Sequence, residues 1–204
     1  GVDVRLNTAA DEENIKALSP DVILVAAGSV PLKPPIPGID GENVVTAEDI
    51  LTGSVKPGRN IIIAGGGEVG VETADFIMVN NAPESLTIVE MRPDIAMDMN
   101  PMDKAQLFGN APIFPSYFAR GLRMLLNTKV RAFGENGVDV IDTNMNEYSL
   151  PADQIILAMG YRSDVTLYEK LAVQFENVIL IGDAVKPGKI VTAIYQANTF
   201  AREI

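Results

Sequence analysis

The chain has 204 residues, 47% of them hydrophobic and 21% charged, and carries a formal charge of −11. Such a composition fits an ordinary globule of one large domain or two small ones, with material for a core. The lack of Cys excludes disulfides, thiolate metal sites and CxxC chemistry, the lack of His removes the commonest general base and zinc ligand, and the acidity argues against nucleic acid as partner.

No apolar run approaches the roughly 20 residues that span a bilayer, and no signal-peptide pattern opens the chain. The expectation is a cytoplasmic protein with no membrane partner, no resident metal and no catalytic side chain. Val2 to Leu6 alternates like a strand without a preceding Met, and Tyr195 to Ala201 is helix-like where the chain stops. Those ends read as a piece of something larger.

Asp21-Val22-Ile23-Leu24-Val25-Ala26-Ala27-Gly28 has an echo in Asp153-Gln154-Ile155-Ile156-Leu157-Ala158-Met159-Gly160. Each reads as a buried parallel strand ending in a small-residue turn. The echo is either chance similarity between two buried strands or the mark of two related nucleotide-binding folds. Four prolines fall in the seven residues from Pro31 to Pro37, a stiff extended crossover because proline fixes φ and blocks ladder pairing. Thr46 to Leu51 is a short helical turn with Thr46 as its N-cap.

Asn60-Ile61-Ile62-Ile63-Ala64 is an apolar strand that runs into Gly65-Gly66-Gly67-Glu68-Val69-Gly70 and then a helix from Glu68 to Asn81. Gly65, Gly67 and Gly70 fill the spacing G-x-G-x-x-G. The first allows a tight turn, the second lets a pyrophosphate approach the backbone, and the third permits close packing of helix on strand. The helix start offers free N–H groups, those of Glu68 and Val69 among them, and a partial positive charge. The apolar Leu86-Thr87-Ile88-Val89 then ends in Glu90, 20 residues after Gly70, where a carboxylate can accept hydrogen bonds from a ribose diol. Strand, turn, helix, strand and acid together form a Rossmann-like dinucleotide-binding unit.

Residues 91–118 hold four Met and four Pro and read as loop and short helix, followed by a helix around Phe118 to Leu126. Lys129 to Phe133, Val138 to Asp142 and Glu147 to Leu150 alternate like antiparallel strands, with Glu135-Asn136-Gly137 turning the first pair. Asn177 to Ala184 is another buried strand, ending in Gly182-Asp183. Asp183 is either a helix cap or a ligand-facing carboxylate at the sheet edge. A helix starts near Ile190.

Taken in order, Ala26 to Pro31, Gly65 to Glu72, Ile156 to Arg162 and Ile181-Gly182-Asp183 resemble the flavoproteins with two dinucleotide-binding domains, the pyridine nucleotide-disulfide reductase class. Within it, Gly67 to Ala74, Pro187 to Ile190 and Thr46 to Leu51 look most like the C-terminal part of 2,4-dienoyl-CoA reductase and enoate reductase type NADH:flavin oxidoreductases, relatives of old yellow enzyme. The resemblance implies an α/β fold with a Rossmann-like NAD(P)H-binding domain, 44–160, inserted into an incomplete FAD-binding Rossmann-like domain, 1–43 and 161–204. It also implies an FMN-bearing barrel and an iron–sulfur segment upstream as partners of this chain, with a small-molecule substrate.

By the same resemblance Gly65, Gly67, Glu68, Val69 and Gly70 hold the pyrophosphate of NADH, with NADPH as alternative. Glu90 binds the adenosine ribose and favours NADH, while Arg92 leaves that choice open. Glu72 lies near the nicotinamide end or is a surface Glu, and Ala158 and Gly160 border the nicotinamide nucleotide. Ala27, Gly28, Gly182 and Asp183 belong to FAD, with the helix from Ile190 aimed at its ring. The implied function is hydride transfer from NADH to FAD, with electrons passed on to reduce an enoyl-type C=C bond. Two rivals stay open: a single-flavin NADH dehydrogenase or ferredoxin reductase without the barrel, and a non-catalytic adenine-nucleotide domain.

Overall fold

The computed structural model describes residues 1–108 and 113–203. The chain divides into two compact units, Gly1–Val30 with Tyr161–Ile204, and Pro31–Gly160. Residues 31–43, expected with the N-terminal segment, pack with the second unit: Ile39 is buried in a cluster with Ile62 and Phe133.

In chain order the first unit begins with helix α1 (Glu12–Leu18) and the short strands β1 (Ile23–Val25) and β2 (Ser29–Pro31). The second unit opens on β3 (Val44–Thr46) and α2 (Ala47–Leu51). Thr46 is the N-cap of α2: its Oγ accepts from the Asp49 N–H at 3.1 Å, and the Asp49 carboxylate accepts from the Thr46 N–H at 2.8 Å. Next come β4 (Asn60–Ala64), α3 (Glu68–Asn80) and β5 (Ser85–Val89). Helices α4 (Pro101–Phe108) and α5 (Ile113–Phe118) precede β6 (Leu122–Leu125). Residues 109–112 of the 91–118 stretch lie outside the described residues.

The expected helix over 118–126 is instead a turn and strand β6. Phe118, Leu122, Leu125 and Leu126 mimic a helical stripe, but Gly121 sits at φ +97°, where a helix cannot continue. Leu122 to Leu125 then pair with Leu86 to Val89 in parallel.

Strands β7 (Thr128–Gly134), β8 (Gly137–Asp142) and β9 (Glu147–Pro151) form the antiparallel sheet read from the alternation. Strand β10 (Gln154–Leu157) closes the second unit. The chain then returns to the first unit through β11 (Tyr161–Ser163), α6 (Thr166–Ala172), β12 (Val178–Leu180), a 3-10 turn at Gly182–Ala184 and α7 (Ile190–Phe200). There β1 and β12 pair in parallel, and β2 pairs with β11.

The second unit is built on a five-stranded parallel sheet in the order β3-β10-β4-β5-β6. Side chains alternate across it, so Ile61, Ile63, Leu86, Ile88 and Ile156 pack under the helices with Val71, Ala74 and Ile77. Ile62, Ala64, Val89, Ile155 and Leu157 face the other way, onto Val130, Phe133, Val138 and Val140 of the antiparallel sheet. Both faces of β4 are therefore covered, which is why its sequence is apolar throughout rather than alternating. Each such side chain contributes about 1.5–3 kcal/mol on burial. Among the described residues no helix is long and apolar enough to cross a membrane, and no cluster of His, Cys, Asp and Glu could hold a metal ion.

Candidate functional site

The parallel register sets Ala64, Val89 and Leu157 side by side across the sheet. The next residues, Gly65, Glu90 and Ala158, therefore emerge together at its carboxyl edge. Three backbone bonds lock them there: Gly65 N–H to Val89 at 2.9 Å, Ala158 N–H to Ala64 at 2.9 Å and Glu90 N–H to Leu125 at 2.8 Å. In open α/β sheets this edge is where ligands bind.

Glycine is required at each motif position for a local reason. Gly65 has φ +112°, and a Cβ there would lie 2.3 Å from the Ala158 carbonyl oxygen. A Cβ on Gly70 would lie 2.0 Å from the Gly65 carbonyl oxygen, so the third glycine lets α3 approach the turn. The nearest atoms to a Cβ on Gly67 would be those of the Asp98 carboxylate, a side chain rather than backbone, at 2.8 Å. This is a cradle for something that needs close access to the backbone.

A cleft of about 700 Å³ opens over the turn, within the range of small-molecule sites. Of the residues expected around a dinucleotide, Gly65, Gly67, Val69, Glu90, Arg92, Ala158 and Gly160 line it. Gly70 is buried behind the turn, and Glu72 is exposed on α3 without lining the cleft. The Glu68 N–H donates to Asp98 Oδ1 at 2.9 Å.

Glu90 is only 4% exposed, and its carboxylate is already engaged. Oε2 accepts from the Gly66 N–H at 2.7 Å, while Oε1 accepts from the Arg92 N–H at 2.8 Å and Arg92 Nε at 3.1 Å. A carboxylate has about four lone-pair sites, which leaves about one for a ligand hydroxyl. The acid thus fixes the glycine turn and still borders the cleft.

Several lining residues were not foreseen. Asp98 comes from the Met-rich stretch, where nothing in the pattern marks it. Residues Pro34 to Ile36 of the proline crossover form a wall, and Thr128 and Lys129 lie where β7 begins. The loop carrying Asp98 is anchored by buried Ile95, Ala96 and Met99 and by the Ala96 N–H bond to the Gly66 carbonyl at 2.7 Å. Lys104 pins it from outside through Asp94 and the Ile95 carbonyl, both at 2.7 Å. The Lys104 hydrogen bond, with that of the Ile95 amide, holds the Asp94 carboxyl below the usual carboxylate range.

In the first unit Val25 pairs with Leu180, so the residues beyond both strands share one edge. Ala27 is exposed there and Gly28 adopts φ +84°. Gly182, at φ +64°, donates to Gln196 Oε1 at 2.7 Å. Asp183 accepts from Ser29 Oγ at 3.4 Å and the Gly188 N–H at 3.1 Å. Ile190, the first residue of α7, is 80% exposed. The echo between 21–28 and 153–160 extends to the backbone, since Gly28 and Gly160 both take left-handed φ values, +84° and +100°.

Comparison with known proteins agrees with this geometry. A family model described as pyridine nucleotide-disulphide oxidoreductase matches residues 2–197. The chain is 34% identical to the cinnamate reductase of Clostridium sporogenes over 100% of its own length and 30% of that protein. It is 34% identical to an NADH oxidase of Thermoanaerobacter brockii, again over 100% of this chain and 31% of the relative. A solved structure of 2-naphthoyl-CoA reductase superposes with a TM-score of 0.85 at 27% identity, covering 98% of this chain and 29% of that one. The chain thus spans about a third of the length of these relatives. With the α/β fold, the glycine turn and the match in agreement, the chain belongs to the pyridine nucleotide-disulphide oxidoreductase family.

Proposed function

We propose that this chain is the nucleotide-handling part of a flavin-dependent NAD(P)H oxidoreductase, its second unit holding NADH or NADPH and its first unit contributing segments of an FAD site. The observation that carries the reading is the Gly65–Gly70 turn, at the carboxyl end of the central strand, opening onto a cleft of about 700 Å³. When bound, the two cofactors would supply hydride-transfer chemistry, one hydrogen nucleus and two electrons passing from the dihydronicotinamide to the flavin.

The chain's own residues bind and orient. Gly65, Gly67 and Gly70 keep the backbone bare, and the N–H groups of Glu68 and Val69 meet the diphosphate. Glu90 offers its remaining acceptor site to the adenosine ribose, beside Arg92. Ala158 and Gly160, which line the cleft, would border the nicotinamide nucleotide. In the first unit Ala27, Gly28, Gly182 and Asp183 would contribute to holding FAD, with the start of α7 at Ile190 beside them in the same unit. The glycine-turn residues fit a dinucleotide because a side chain at Gly65 or Gly70 would collide with backbone.

In the fuller reading electrons pass on to an FMN and iron–sulfur barrel elsewhere in the same polypeptide, as in 2,4-dienoyl-CoA reductase type enzymes, which reduces an enoyl-type C=C bond. Two relatives, a cinnamate reductase and a 2-naphthoyl-CoA reductase, support that acceptor class. A second reading, an NADH dehydrogenase with a single flavin, draws on the relative named NADH oxidase. Rapid mixing of the intact protein with NADH tests the shared core of both. Bleaching of the flavin absorbance is expected, and a flavin that stays oxidised would leave only nucleotide binding.

A further inference from the structure

Helix α3 is 13 residues long and starts at Gly67, which has no side chain to cap it. Its first N–H groups carry the positive end of the helix and need an acceptor. The structure supplies one from 30 residues further along: Asp98 Oδ1 accepts from the Glu68 N–H at 2.9 Å. The same carboxylate lies against Gly67, where the site of a virtual Cβ is 2.8 Å from one of its oxygens and 3.1 Å from the other. A carboxylate is thus set at the one place on the turn where a phosphate would be held.

The segment that delivers Asp98 is anchored in the core, whereas its side chain is half-exposed. Ile95, Ala96 and Met99 are buried, and Ala96 takes φ +51°, unusual for a residue with a Cβ, to turn the chain over Gly66. Asp98 itself is 54% exposed at its side chain and has Arg92 Nη2 3.8 Å away. A half-exposed carboxylate can swing into water while its backbone stays in place, at the cost of the cap it makes. Swinging out gives up the bond from the Glu68 N–H and clears the space beside Gly67 together.

We propose that Asp98 stands in for a phosphate of the nucleotide: its carboxylate satisfies the helix start and must leave for the diphosphate to bind. The site is therefore self-competing, and the charge on Asp98 sets its affinity for diphosphate-bearing ligands. This rests on the dinucleotide reading above. A purely structural cap would behave differently, since removing it would weaken the helix and gain nothing in ligand affinity.

Calorimetric titration of the intact protein with ADP-ribose and with adenosine separates these cases, using wild type, Asp98→Asn and Asp98→Ala. The amide variant keeps a neutral acceptor for the Glu68 N–H and guards against loss of folding in the alanine variant. A side-chain cap's usual contribution converts to a gain of roughly two- to thirtyfold in ADP-ribose affinity. The gain is larger for Asp98→Ala, and adenosine, which lacks phosphate, binds all three proteins alike. Unchanged or weaker ADP-ribose binding in both variants would overturn the proposal, as would an equal gain for adenosine. Failure of ADP-ribose to bind any of the three would overturn the dinucleotide reading together with it.

Discussion

At the scale of single residues, Glu90 carries two duties that its position in the sequence suggests only in part. Its place after Val89 marks it as a ribose acceptor, yet three N–H groups from Gly66 and Arg92 already converge on it. Leaving such buried donors poorly matched costs about 1–3 kcal/mol. Glu90→Gln, which retains one acceptor oxygen but adds donors facing N–H groups, is expected to lower stability by about that much in urea unfolding. Because the turn loosens, affinity for ADP-ribose falls in the same variant. An unchanged unfolding midpoint would mean that the carboxylate does not organise the turn. Asp98 was not legible at this scale. An acid between two methionines in a stretch without periodicity carries no signal, and only the folded loop brings it to α3.

At the scale of elements, the packing of α5 against α3 depends on a polar contact within an apolar setting. Tyr117, 4% exposed, donates its hydroxyl to Asp75 Oδ1 at 2.6 Å, and Arg120 lies 5.7 Å from the Tyr117 ring centre. Burial first, and then the bond to Asp75, push the phenol up to about 12. Its ionisation in the unfolded chain occurs near pH 10. The folded state therefore holds the proton more tightly, so this stabilisation is complete below about pH 10 and is lost as pH rises toward 12. Between about pH 9 and 12 the wild type should lose on the order of 2 kcal/mol more stability than Tyr117→Phe, measured by urea unfolding. Parallel decline in the two proteins would refute the shifted phenol.

The same scale shows what sequence patterns carry and what they miss. Strands β4, β5 and β10 and helix α3 were legible because both sheet faces are buried and the glycine spacing is mechanically demanding. The antiparallel strands β7 to β9 were legible from alternation. Strand β6 was misread because its apolar residues coincide with a helical stripe, and only pairing with β5 decides between them. The strand expected over Asn177 to Ala184 is extended and paired only at Val178–Leu180, where β1 is its partner, and Gly182–Ala184 form a 3-10 turn.

At the scale of the whole molecule, the two compact units divide the proposed labour between nicotinamide nucleotide and flavin. The division falls at Val30 and Gly160, and the left-handed Gly28 and Gly160 lie close to it in the sequence. The order of signatures along the chain carried the family. The most direct measurement is a crystal structure of the intact protein soaked with ADP-ribose. The expected result is a diphosphate against the N–H groups of Glu68 and Val69, the Asp98 carboxylate displaced, and the adenosine ribose beside Glu90. A ligand bound elsewhere, with the Gly65–Gly70 turn unchanged and Asp98 still on the Glu68 N–H, would contradict it.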